Sequence, residues 1–140
     1  KNKTFSSGYP AGKPGDLVLN YLGHVALENK SYGVFEKGLV YSILDRSPFN
    51  LNSIGGLSGG PAFSTDNSLS GILVAENARR ALAILVDNRS LIELLDETNM
   101  IEKKVSRISQ FDLVTTKKNF ANNGDSLRKQ GVIRKIYCVF

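Results

Sequence analysis

The run Gly55-Gly56-Leu57-Ser58-Gly59-Gly60-Pro61 concentrates the residue types that present a nucleophile. Serine supplies the hydroxyl. Glycines on both sides let the backbone take positive φ and approach a ligand closely. A chain curled in this way can aim its N–H groups at one point. The N–H groups of Gly56 and Ser58 would then stabilise an oxyanion forming on a carbonyl attacked by Ser58. Gly59 and Gly60 leave room for a substrate to lie across the hydroxyl. A bare G-x-S-x-G match also describes ordinary tight turns, whereas the longer string closed by Pro61 is far more restrictive.

A serine hydroxyl needs a base, and the base needs a carboxylate to hold its tautomer. His24 is the only histidine in the chain. His24, Asp45 and Ser58 together supply the three residue types of a triad, but His24 falls inside a candidate strand. A strand residue or pocket wall is the competing reading of His24. Asp45, just before Arg46, reads as a turn residue. Cys138 is the only cysteine, which excludes an internal disulfide and a Cys-based metal site. The reading calls for no cofactor and no metal.

The elements that must position Ser58 are mostly β. Residues 4–9, 16–27, 32–35, 39–44, 62–63, 69–75 and 82–86 read as short strands, with Glu36-Lys37-Gly38 a turn and 46–60 strand-free. Many short strands with turn signals between them favour an antiparallel barrel or sandwich. One helix is marked by a capping box, Ser90-Leu91-Ile92-Glu93. Leu91, Leu94 and Leu95 follow at helical spacing and would dock on the barrel, with the helix ending between 99 and 104. The expected organisation is a barrel over 1–88, a docking helix over 89–104 and a basic extension over 105–140. Within the extension, 111–115 reads as a short strand, 122–125 as a turn and 131–140 as an apolar strand.

The 140 residues suffice for one domain with a core. No apolar run approaches the roughly 20 residues that span a bilayer. The sequence opens at Lys1 with neither a signal peptide nor an initiator Met, as expected of a processed product or a piece of a longer chain. Three glycosylation sequons begin at Asn2, Asn29 and Asn88 and would matter only in a secretory compartment. Charge is uneven: residues 1–100 hold nine Lys/Arg against ten Asp/Glu, and residues 101–140 hold nine against three. The basic excess is either a solvated tail or a surface for an acidic partner such as nucleic acid or an anionic membrane.

The serine string resembles the nucleophile loop of the chymotrypsin-like (trypsin-like) serine peptidases, and the resemblance extends over about residues 4–100. Gly8-Tyr9-Pro10 resembles the end of the first strand of that family's second barrel. Gly71-Ile72-Leu73-Val74 resembles the strand whose edge pairs with substrate. A further strand and a helix follow in both. The resemblance implies a six-stranded antiparallel Greek-key barrel with a C-terminal helix. It implies a serine endopeptidase acting through Ser58, with histidine and aspartate supplied by a preceding barrel outside this chain. That missing barrel and a polypeptide substrate are the partners it implies.

Leu57 departs from the aspartate of the activatable digestive members, which implies a form that folds active. On the same resemblance Asn52, Ser53 and Ile54 line one side of the acyl-side pocket, and Val74, Ala75 and Glu76 the other. With no acid at the pocket base, a small or medium uncharged residue is expected there. Gly-Tyr-Pro and the lack of disulfides resemble bacterial or viral members, so a soluble cytoplasmic-type or viral setting is expected over secretion. The alternatives are an inactive barrel that binds extended peptides along its strand edge, or a nucleic-acid binder acting through its basic tail.

Overall fold

Leu17 and Leu19 sit two apart on one strand and share one face, and both are fully buried. They belong to a core with Tyr41, Ile54, Leu57, Ala62, Leu73, Ala83 and Leu85, contributed by five of six strands or by the loop at Ser58. The computed structural model describes residues 3–31, 33–98 and 114–137. The strands are β1 (Lys3–Gly8), β2 (Gly15–Asn29), β3 (Val34–Ser47), β4 (Pro61–Ser64), β5 (Leu69–Asn77) and β6 (Leu82–Asp87).

They close into one antiparallel barrel in the order β1-β2-β3-β6-β5-β4, with β4 returning to β1. Consecutive strands β3 and β4 are not neighbours, which makes the connection a Greek key. Closure gives every strand two partners, although β4 is shorter than β5 and pairs with it only as far as Ile72.

Two helices follow, α1 (Asn88–Glu97) and α2 (Phe120–Lys129). α1 packs on β5 and β6, and α2 on β1 and β2. The second contact explains why β1 is buried without alternation from Thr4 to Gly8. Phe5 and Val18 pair across β1 and β2 and are buried, yet stand outside the central cluster. Val18 faces away from Leu17 and Leu19, so the outer face of this sheet is covered as well.

Several expectations are corrected. Glu36-Lys37-Gly38 is no turn: β3 runs through it, with Glu36 opposite Leu27 and Gly38 opposite Val25. Ser90 does not cap α1. Asp87 does, accepting from Arg89 N–H at 2.8 Å, while the Ser90 hydroxyl donates to Glu36 at 3.1 Å. Leu91 and Leu95 are half-buried, but Leu94 is exposed rather than docked. The 122–125 turn lies inside α2. Residues 131–137 form no strand. Of the expected strand at 111–115, residues 111–113 lie outside the described residues, as do 138–140. No helix among the described residues is long and apolar enough to cross a membrane.

Candidate functional site

Ser58 owes its exposure to its neighbour. Leu57 is 1% exposed and packs in the core beside Ile54. With Leu57 driven inward, the residues on either side of it, Gly56 and Ser58, face solvent. The turn is tied at several points. Leu57 N–H donates to Ile54 O at 2.9 Å, Gly60 N–H to Leu57 O at 2.8 Å, and Gly59 N–H to Leu73 O at 2.8 Å. Leu73 N–H returns a bond to Gly60 O at 2.9 Å. Among the described residues the N–H groups of Gly56 and Ser58 have no partner. Two unpaired N–H groups flanking an exposed hydroxyl are chemically suited to receive a negatively charged oxygen.

Gly56 cannot carry a side chain. Its φ is +93°, and a Cβ there would lie 3.1 Å from Tyr9 O and 3.2 Å from Ala11 N. Ala11 N–H in turn donates to Gly55 O at 2.8 Å. The β1–β2 connection, with its short 3-10 turn Pro10–Gly12, is therefore bonded directly to the Ser58 loop.

The two walls expected for an acyl-side pocket do face each other, but a side chain joins them. Ser53 Oγ–H and Ile54 N–H both donate to one Glu76 carboxylate oxygen, at 3.0 and 3.1 Å. The other oxygen, Oε1, is buried with no hydrogen-bond partner among the described residues. Ile54 points into the core, so only its backbone stands at the wall. Asn52 is exposed. Val74 sits at a bulge: Leu73 pairs with Leu85 and Ala75 with Ile84, leaving Val74 opposite no residue. β4 pairs with β5 no further than Ile72. From Val74 to Glu76 the β4-side edge of β5 faces no strand among the described residues.

His24 and Asp45 are not brought to Ser58. His24 pairs with Leu39 and its Nδ1 is 3.0 Å from Tyr21 Oη. It lies nine residues along β2 from Gly15, which pairs with Gly8 at the Ser58 end. At about 3.3 Å per residue this is roughly 30 Å of strand. Asp45 stands on β3 opposite Val18, not in a turn. The hydrogen bond from Lys117, at 3.0 Å, holds its carboxyl below the usual range, helped by Arg46 N–H. Among the described residues no three His, Cys, Asp or Glu side chains cluster as metal ligands.

A cleft of about 520 Å³ opens beside Ser58. One wall is the Ser58 loop with Gly8, Tyr9 and Gly12, and the other is the segment 131–136 of the extension. No family model, curated protein or solved structure matches this chain.

The second wall is held in place by features that sequence reasoning missed. Arg128 donates to both oxygens of Asp16 at 2.9 Å, with both side chains buried, and its Nη1 also reaches Gly8 O and Gly15 O. Gly124, one turn earlier, presses against Asp16 and Ser7. Gly131 N–H donates to Arg128 O at 3.0 Å and Val132 N–H to Leu127 O at 3.0 Å, a Schellman ending that turns the chain back toward Ser58. Lys135 Nζ then donates to Gly12 O at 2.9 Å. The only advance signal was the cluster of basic residues in the extension.

Proposed function

We propose that this barrel is the nucleophile-bearing half of a chymotrypsin-like serine peptidase, cleaving polypeptides through an acyl-enzyme on Ser58. The observation that carries the reading is the selective pairing in the turn. Leu57, Gly59 and Gly60 spend their N–H groups on internal bonds, while those of Gly56 and Ser58 have no partner among the described residues. The Ser58 hydroxyl attacks the carbonyl carbon, its proton passes to a base, and the C–N bond breaks as that proton reaches the leaving amine. Water then releases the acyl group by the same route in reverse. The base and its carboxylate come from a preceding barrel outside this chain. The open edge of β5 at Val74–Glu76 would pair with the acyl half of the substrate. Glu76, bonded across to Ser53 and Ile54, stands between the two walls that would flank the side chain before the scissile bond, where a small or medium uncharged residue is expected.

A fluorophosphonate probe tests the reading on the full chain together with whatever copurifies. Labelling that falls to background in Ser58→Ala is the expected result. A folded sample that does not label, even with its copurifying partners, overturns it in favour of the second reading: a peptide-binding barrel without catalysis. The favourable observation for that alternative is that the one histidine stands with Tyr21, far from Ser58.

A further inference from the structure

The cleft beside Ser58 is not the expected acyl-side pocket. None of Asn52, Ser53, Ile54, Val74, Ala75 or Glu76 lines it. A peptide crossing Ser58 with its acyl half along β5 must send its other half elsewhere, and this cleft is a concave surface that Ser58 itself lines. Its lining carries two cations, Arg134 and Lys135, and no carboxylate. The ammonium of Lys135 is fixed by Gly12 O at 2.9 Å and lies 4.5 Å above the Tyr137 ring. Only one of its three N–H donors is used by that carbonyl. Arg134 bonds Gly131 O through Nε at 3.1 Å, which leaves its terminal nitrogens to grip a carboxylate. The unpaired N–H groups of Gly56 and Ser58 add positive potential to the same concavity.

We infer that Arg134 and Lys135 make the Ser58 cleft select peptides with an acidic side chain. Resting on the proposed peptidase reading, this is a preference for Asp or Glu shortly after the scissile bond. The extension is then one wall of the substrate site and not a passive tail. Because these cations are partly solvated, the selectivity is moderate, about tenfold between acidic and neutral peptides at low salt, and it weakens as salt rises.

The test is fluorescence anisotropy with the full chain and three labelled decapeptides, identical except for Asp, Ala or Lys at one position and each bearing a benzophenone cross-linker. The Asp peptide is expected to bind about tenfold tighter than the Ala peptide, and to cross-link to residues 8–12, 56–61 or 131–137. Arg134→Ala/Lys135→Ala should erase the difference, and Arg134→Glu/Lys135→Glu should turn it toward the Lys peptide. A preference that is absent, that survives both double variants, or that cross-links elsewhere overturns the inference. Fluorophosphonate labelling of the same samples keeps the two ideas apart. Labelling without acidic preference sinks the inference and leaves the peptidase. Acidic preference without labelling supports the cleft and sinks the peptidase.

Discussion

α1 and α2 are both ten residues long and both lie against the barrel, but they hold it by different means. α1 buries no residue fully and rests half-buried Leu91 and Leu95 on β5 and β6. Its polar ties are single hydrogen bonds, Ser90 Oγ–H to Glu36 at 3.1 Å and Asn88 Nδ2–H to Leu69 O at 3.1 Å. α2 attaches through a buried ion pair, Arg128 with Asp16, whose side chains are 6% and 4% exposed. Arg128 also bonds the carbonyls of Gly8 and Gly15, the two residues that open the β1–β2 connection. That connection is bonded to Gly55 through Ala11, so α2 reaches the Ser58 loop from the β1–β2 side, whereas α1 reaches it only through β5, whose Leu73 bonds Gly59 and Gly60. The helix that looks weaker on sequence is the one held by a buried ion pair.

The largest effect should come from cutting the clamp. Arg128→Met leaves Asp16 buried and unpaired, and should cost about 3–5 kcal/mol of stability in chemical denaturation. Arg128→Met/Asp16→Leu should recover much of it, because a buried pair replaced on both sides by apolar groups is often near neutral. Failure of the double variant to recover would mean that the carbonyl bonds of Arg128, and not its charge pairing, anchor α2.

A smaller loss is expected from Gly124→Ala. Helix propensity alone would favour alanine by about 1 kcal/mol. A Cβ at this position, however, collides with the Asp16 carboxylate and lies 2.7 Å from Ser7 Oγ. The expected net result is destabilisation by about 1–3 kcal/mol, and a stabilised protein would show that α2 lifts away from β1 at little cost. The smallest of the three effects belongs to α1: Leu91→Ala should cost about 1 kcal/mol. Labelling of Ser58 should be unchanged by it and diminished by the α2 variants, and equal effects from both helices would erase the contrast.

How far the sequence could be read follows the same division. Strands with one buried face announce themselves, as Leu69–Asn77 and Leu82–Asp87 do. In the β2–β3 hairpin, β2 is legible over 16–27 but β3 is split, because Glu36-Lys37-Gly38 mark a turn by local chemistry, while Gly38 is buried between Val25, Leu27 and Ile84. Asn122-Asn123-Gly124-Asp125 is a turn signal by local chemistry, yet it is helical because Gly124 is needed where the helix backbone meets Asp16. The capping box failed for a similar reason: Glu36, remote in sequence, draws off the Ser90 hydroxyl. At the candidate site, the prominence of Ser58 was visible in the glycine string. The Glu76 bridge to Ser53 was not, since it joins residues 23 apart in sequence. The cations of the extension were visible as charge, but not as the wall of a cleft.

Leu57 gives the Ser58 loop one more property. The residue before the hydroxyl is a core residue, in one cluster with Leu17, Leu73 and Leu85. The reach of Ser58 into solvent is thus set from inside the barrel. On the proposed reading, labelling of Ser58 then serves as a gauge of internal order, and substitutions in the barrel core far from the cleft lower it without touching a single residue there.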